Sequence, residues 1–102
     1  MVKEGGWVRP VGMFAAQLFY KGHVQGVGFR YSVKQIASGF EVSGYVKNLA
    51  DGRVECWLQG EKSEVEAMTQ EIKNSHLNGF IREVQEQEMP VNTELKGFQI
   101  LA

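Results

Sequence analysis

The chain has 102 residues, of which 43% are hydrophobic and 23% are charged. These values are typical of one globular domain and exclude a disordered chain. A formal net charge of −1 argues against a protein whose main task is to neutralise nucleic acid. The single cysteine, Cys56, excludes an intrachain disulfide and a cysteine-ligated metal site, and we interpret it as a small buried hydrophobe.

The N-terminal residues 1–12 contain two adjacent glycines and a proline and have no hydrophobic period. They are predicted to form a flexible tail in front of a domain at 13–102. The sequence has no apolar run as long as a signal peptide or a membrane span. We therefore expect a cytoplasmic protein without a membrane partner.

The first predicted strand is 13–21, which is rich in aromatic and aliphatic residues. A helix is predicted over 31–38, with Gly39 as its C-terminal cap. Its apolar face recurs at helical spacing. This face consists of Phe29, Val33, Ile36, Ala37 and Phe40.

Between these two elements lies a glycine-rich stretch, Gly22-His23-Val24-Gln25-Gly26-Val27-Gly28-Phe29-Arg30. Its glycines let the backbone turn tightly and bring N–H groups close to a ligand. The following helix points its positive dipole end into the same space, and Arg30 adds a guanidinium that can bind two phosphate oxygens. This combination is typical of a phosphate site. Glycine-rich loops also serve as plain turns, and this one has neither P-loop nor GxGxxG spacing, so the loop alone leaves both interpretations open.

The distribution of charge favours an anion at this loop. Between residues 21 and 53 there are two acidic residues and five basic ones, which are Lys21, Arg30, Lys34, Lys47 and Arg53. From 54 to 94 there are nine acidic residues and three basic ones. We expect Lys47 and Arg53 to act as peripheral charges that steer an anion.

Two strands are predicted next, over 41–48 and 53–59, because apolar residues alternate along both. The connecting segment, 49–52, ends in Asp-Gly, which is a strong hairpin signal. Gly60 is expected to end the second of these strands.

A second helix is predicted to begin with a capping box, in which Ser63 is the N-cap and Glu66 its partner. The Asn-Gly pair at 78–79 is expected to end it. An exposed strand is predicted over 80–88, and a short strand at a sheet edge over 97–101. The resulting order, βαββαβ plus a short terminal strand, predicts an α+β fold of the ferredoxin-like, split βαβ type. We expect an antiparallel sheet with two helices on one face.

In two stretches the sequence resembles the acylphosphatase family. One family signature is Gly-x-Val-Gln-Gly-Val-x-Phe-Arg, which stands here at 22–30. The other begins Gly-aromatic-small-basic-Asn, which stands here as Gly44-Tyr45-Val46-Lys47-Asn48, and continues with Gly52-Arg53-Val54 and Gly60. The resemblance covers residues 14–101 and implies the same βαββαβ fold.

The resemblance implies an enzyme that hydrolyses small acyl phosphates to a carboxylate and inorganic phosphate, without a metal or another cofactor. It implies that Arg30 and the loop amides hold the phosphate and that Asn48 orients the attacking water. The implied phosphate-binding residues are His23, Val24, Gln25, Gly26, Val27, Gly28, Phe29 and Arg30. We expect a monomer with no nucleic-acid partner.

Each of these roles has a structural alternative. Arg30 could pair with Glu41 or Asp51 instead of an anion. Asn48 could be a turn residue that opens the hairpin, as Asn often is. Gln25 could simply brace the loop, and His23 could be an exposed spectator.

The function also has alternatives. The same two signatures occur in domains of larger carbamoyl-transferring proteins, so a non-catalytic acyl- or carbamoyl-phosphate binding module is a second hypothesis. RNA-recognition motifs share the βαββαβ order, but they carry stacking aromatics on the third strand. The corresponding run here, 51–58, has one aromatic residue and two acids, so the pattern disfavours RNA binding.

Overall fold

The computed structural model describes residues 12–102. The predicted tail at 1–12 therefore lies, except for Gly12, outside the described residues. The strands are β1 Met13–Gly22, β2 Val42–Asn48, β3 Val54–Glu61, β4 Ile81–Met89 and β5 Phe98–Leu101. The helices are α1 Phe29–Ala37 and α2 Lys62–Asn74, and a 3-10 helix at His76–Phe80 leads into β4. The predicted βαββαβ order with a terminal strand is confirmed.

The five strands form one sheet in the order β4-β1-β3-β2-β5. Neighbouring strands are antiparallel with the exception of β5, which runs parallel to β2. The sheet is therefore mixed, and the predicted antiparallel arrangement holds for every neighbouring pair except β2 and β5. Because β4 and β5 lie at opposite edges, the chain after Met89 has to cross the sheet. On the way, Asn92 exchanges two hydrogen bonds of 2.8 Å with the side chain of Gln59 on β3.

Both helices pack on one face of the sheet, as expected. Alternate residues of the central strands point to this face, as the pleat of a β-strand requires. Burial of these apolar side chains against the helices supplies the main stabilisation of the fold. The core includes Leu18, Tyr20, Val46, Val54, Cys56 and Leu58 from the sheet and Phe29, Val33, Val65, Met68 and Ile72 from the helices.

The two helices begin earlier than the sequence predicted. Helix α1 starts at Phe29, so Arg30 lies within its first turn. Helix α2 starts at Lys62 with Glu61 as its N-cap, and no side chain caps it. The prediction of Ser63 as N-cap was wrong because β3 continues to Glu61 and leads directly into the helix, which leaves Ser63 inside the first turn.

Helix α2 also ends earlier than predicted, at Asn74 instead of the Asn-Gly pair at 78–79. The hydroxyl of Ser75 accepts a hydrogen bond from the amide of Leu77 at 3.1 Å and starts the 3-10 helix. Leu77 is fully buried, which holds this helix against the core. Within residues 12–102, no helix is long and apolar enough to cross a bilayer.

Candidate active site

The loop between β1 and α1 is anchored at both ends by buried side chains. Val24 is 1% exposed and Phe29 is 2% exposed, and both belong to the core. The ring of Phe29 packs against the ring of Tyr20 at a centroid distance of 5.2 Å. Val27 packs against the same core from the middle of the loop. These contacts hold the intervening backbone in one place.

Gly26 and Gly28 give the loop its course. Their φ angles are +79° and +77°, which side chains rarely adopt. A Cβ atom at either position would meet no heavy atom within 4 Å, so glycine is required there for conformation and not for space. Gly28 is the N-cap of α1 and brings no capping side chain, and the first turn of α1 contains no acidic residue. The described side chains therefore leave the positive end of the helix without a negative partner.

The backbone amides of the loop immediately precede this end of the helix in the chain. Within the described chain, none of the amides from 24 to 29 donates a hydrogen bond to another protein group. The amide of His23 differs, because it donates to the carbonyl of Phe80 at 2.9 Å. Of the predicted phosphate contacts, the one at His23 has the least support.

One cavity brings the two predicted catalytic residues together. It has a volume of about 200 Å³, below the roughly 300–1,000 Å³ of sites for drug-sized ligands, which suits a small molecule. Its lining consists of Val24, Gly26, Gly28, Phe29, Arg30, Tyr31, Asn48 and Ile100. Arg30 and Asn48 come from different elements, α1 and β2, and meet here with the loop.

Arg30 is held by a neutral group. Its Nη1 donates to the carbonyl of Leu101 on β5 at 2.8 Å. Among the described residues, Arg30 forms no ion pair with Glu41 or Asp51, and the Asp51 carboxylate instead binds Arg53 at 2.8 Å. The guanidinium is thus oriented by a carbonyl but keeps its charge and its remaining donors for an anion.

Asn48 is the last residue of β2 and is half-buried. The hairpin that follows is closed by backbone hydrogen bonds, from Leu49 N to Arg53 O at 2.8 Å and from Gly52 N to Leu49 O at 3.1 Å. In residues 12–102 the side chain of Asn48 makes no hydrogen bond of its own. Its amide therefore does not brace the turn and remains available in the cavity.

Gln25 connects the loop to this hairpin. Its Nε2 donates to the carbonyl of Leu49 at 2.8 Å and to the carbonyl of Arg53 at 3.0 Å. These two carbonyls lie on either side of the turn that follows Asn48. The side chain of Gln25 does not line the cavity. Its two hydrogen bonds instead fit the alternative role, in which Gln25 braces the loop.

A wider groove of about 540 Å³ lies on the opposite face of the sheet. Its lining consists of Phe19, Lys21, Gly22, Asp51, Gly52, Arg53, Arg82, Glu83 and Gln85. Its positive charge is largely balanced, because Arg53 binds Asp51 and Lys21 lies opposite Glu83 in the sheet. The guanidinium of Arg53 stacks 4.6 Å from the centroid of the Phe19 ring. Arg53 therefore belongs to this groove and not to the rim of the loop cavity.

Other reactive side chains do not contribute to the cavity. Cys56 is fully buried in the core, and burial raises the pKa of its thiol well above the ordinary range, an effect reinforced by the charge of Glu55. Burial thus keeps it protonated and out of reach of a substrate. Across residues 12–102, no three His, Cys, Asp or Glu side chains are grouped so that they could hold a metal ion.

Three residues at the site were not predicted from the sequence. Leu101 offers the carbonyl that holds Arg30, and Ile100 and Tyr31 line the cavity. Tyr31 carried a weak signal, since it is an aromatic residue that lies off the apolar face of α1. Nothing in the sequence pointed to Ile100 and Leu101, because they reach the site only through the pairing of β5 with β2.

The Acylphosphatase family model matches residues 16–100. The acylphosphatase of Roseiflexus sp. (strain RS-1) is 37% identical over 89 residues, which are 87% of this chain and 96% of that protein. The crystal structure of acylphosphatase from Bacillus subtilis superposes with a TM-score of 0.79 at 29% identity, covering 87% of this chain and 99% of that one. Full-length HypF in its phosphate- and nucleotide-bound form superposes with a TM-score of 0.78 at 33% identity, covering 96% of this chain but 13% of that one. The chain belongs to the acylphosphatase family of enzymes.

Proposed function

We propose that the protein hydrolyses small acyl phosphates to a carboxylate and inorganic phosphate in the cavity between the glycine loop and Asn48, without a metal ion. In this proposal Arg30 and the loop amides hold the phosphate, and Asn48 orients the attacking water. Membership of the acylphosphatase family supports the reaction. A cytoplasmic location and a monomeric state stay predictions from the sequence.

The chemistry of the substrate explains why few groups are needed. The leaving group is a carboxylate, whose conjugate acid has a pKa near that of a Glu side chain, about 4.3. It departs at neutral pH without a general acid. Phosphoryl transfer through a loose transition state needs mainly correct positioning and stabilisation of charge on the equatorial oxygens. A guanidinium, several N–H donors and one water-positioning amide meet these needs.

The phosphate-binding part of the proposal is supported by the unused donors at the loop. The amides from 24 to 29 make no hydrogen bond to the described protein, and the helix that follows has neither a capping side chain nor an acid in its first turn. A phosphate that accepts from these amides would satisfy the end of α1. The charge of Arg30 lies beside them, without a carboxylate partner among the described residues.

The role of Asn48 is supported by its position and its freedom. Its amide reaches the same cavity from β2, and its side chain is engaged by no described residue. An amide can accept from water with its oxygen and donate with its nitrogen, so it can hold a water molecule in one orientation. The substrate phosphate can take up the proton of the water, which agrees with the absence of a general base among the residues that line the cavity.

The observation that carries the proposal is the meeting of Arg30, Asn48 and the loop amides in one small cavity. The test is hydrolysis of benzoyl phosphate in the presence of EDTA, with wild type, Arg30→Ala and Asn48→Ala. We expect rapid turnover by the wild type and a loss of kcat/KM on the order of 10²–10³ for Arg30→Ala, the size found when one key oxyanion donor is removed. Asn48→Ala should lose turnover while inorganic phosphate still competes for the site.

Two exposed residues serve as matched controls. Arg82 lies on β4 and lines the opposite groove, and Asn78 lies in the 3-10 helix. Alanine at either position should leave kcat/KM unchanged. An equal loss of phosphate binding in Arg30→Ala and Asn48→Ala would contradict the division of roles. Phosphate binding by a wild type that does not turn over acyl phosphates would identify a binding module instead, and loss of activity in EDTA would contradict a metal-free reaction.

A further inference from the structure

The rim of the cavity is apolar, in contrast to its floor. Among residues 12–102, three large hydrophobic side chains are well exposed, namely Tyr31 at 63%, Val84 at 44% and Ile100 at 38%. Tyr31 and Ile100 both line the cavity that contains Arg30 and Asn48. Val84 lies on β4, at the other edge of the sheet. Isolated exposed hydrophobic residues are common on protein surfaces, but two of these three converge on the site.

The fold explains how the two side chains meet. Tyr31 follows Arg30 in the first turn of α1 and lies off the apolar face that packs on the sheet. Ile100 is paired with Val46 of β2 and therefore lies on the helix-covered face of the sheet. Because β5 is an edge strand of the sheet, Ile100 stays 38% exposed, and it lines the cavity together with Tyr31.

The polar groups of the site account for the phosphate and the water but not for the rest of the substrate. An acyl phosphate carries a carbonyl and its substituent on one phosphate oxygen. A cavity of about 200 Å³ has room for the phosphate at the loop, so the substituent extends toward the rim. The groups that it meets there are the phenol ring of Tyr31 and the branched chain of Ile100.

We propose that Tyr31 and Ile100 bind the acyl group and make the enzyme select acyl phosphates with an aromatic or branched aliphatic substituent over acetyl phosphate. This inference rests on the proposed function of the cavity. Burying apolar surface of the substrate against these side chains is favourable in proportion to the area removed from water. An aromatic substituent can in addition pack against the ring of Tyr31 with offset or edge-to-face geometry. A methyl group is too small to reach both side chains.

The test measures kcat/KM for benzoyl phosphate and acetyl phosphate and uses the ratio of the two values. Each of Tyr31→Ala and Ile100→Ala should lower this ratio by about 10-fold relative to wild type, the lower limit for one apolar contact in a pocket. Tyr31→Phe retains the ring and should retain the ratio. Val84→Ala removes a branched side chain of similar exposure at the opposite edge of the sheet and should also retain the ratio. Inorganic phosphate, which has no acyl group, should inhibit all four variants with the wild-type constant.

The outcomes separate this inference from the proposed function. Turnover of both substrates with the wild-type ratio in Tyr31→Ala and in Ile100→Ala would overturn the inference and leave the proposed function in place. A parallel loss for both substrates together with weaker phosphate inhibition would also overturn it, because the two residues would then shape the phosphate site. If the wild type turned over neither substrate, the proposed function itself would fail and the inference with it.

Discussion

Gln25 shows how a single side chain couples two parts of the site that are distant in the sequence. Its amide nitrogen donates to the carbonyls on both sides of the hairpin turn, and the residue before that turn is Asn48. The loop whose amides are proposed to bind phosphate is thereby tied to the strand that carries Asn48, the proposed water-positioning residue. The distance between the two therefore depends on a pair of hydrogen bonds between residues that do not line the cavity.

We predict that Gln25→Glu lowers kcat by about 10- to 100-fold, because both contacts need an N–H donor and a carboxylate has none to offer. The cost in stability should be about 1–3 kcal/mol, since two partly buried carbonyls lose their partner. Steady-state kinetics and urea denaturation measure the two effects. Gln70→Ala, on the exposed side of α2, is the matched control. A variant with wild-type kcat and reduced stability would show that the brace is structural and does not position Asn48.

At this scale the sequence indicated which residues lie at the cavity better than it indicated their contacts. Arg30 and Asn48 stand in local signatures, and both are found at the cavity. The sequence places Gln25 among the predicted phosphate-binding residues, and bracing of the loop is the alternative role. Nothing local distinguished these roles, since its acceptors lie 24 and 28 residues further along the chain. The ring of Tyr31 could be noticed as aromatic but not assigned to a site.

At the scale of elements, β5 completes the site although it has only four residues. It is paired with β2 on one side, its Phe98 packs against the core, and the carbonyl of Leu101 accepts from Arg30. The last strand thus determines the direction of the guanidinium on the first helix. An Arg side chain has many rotamers, so a fixed acceptor would reduce the conformational entropy lost if Arg30 binds an anion as proposed.

We predict that Phe98→Ala loosens β5 and raises the inhibition constant of inorganic phosphate by on the order of 10-fold, because Arg30 loses a fixed acceptor. Hydrogen exchange at the β5 amides measures how far β5 loosens. The inhibition constant of inorganic phosphate measures the effect on Arg30. Gln99→Ala, at the exposed neighbouring position, should change neither. Rapid exchange along β5 with an unchanged phosphate constant would contradict this coupling.

The elements themselves were largely predictable, because hydrophobic periodicity marks them wherever one face is buried. The predictions from the sequence were wrong where one element joins the next. Ser63 has the residue type of an N-cap, but β3 runs into α2 without a break and leaves no room for a cap there. The parallel direction of β5 could not be read from its sequence, since it follows from the path of the chain between Met89 and Phe98 across the sheet.

At the scale of the whole molecule, the sheet has two faces with different roles. The helix-covered face supports the core and the cavity. The other face carries a hydrogen-bonded network around Glu55, which is 8% exposed and accepts from Gln17 Nε2 at 2.8 Å and from Tyr45 Oη at 2.6 Å. Burial, then the hydrogen bond to Glu55, raises the pKa of Tyr45 well above its ordinary range, so its hydroxyl stays a donor. A carboxylate at the centre of this face opposes the binding of phosphate groups there.

Basic side chains of the described residues line both the loop cavity and the opposite groove, and the central claim is that phosphate binds in the cavity. Titration of the ¹⁵N-labelled protein with inorganic phosphate, followed by amide chemical shifts, tests this claim most directly. We predict that the largest changes occur at the backbone amides of 24–29 and at the side-chain amide of Asn48, and that they disappear in Arg30→Ala. Changes centred on Lys21, Arg53 and Arg82, with the loop amides unaffected, would place the anion in the opposite groove and contradict the account.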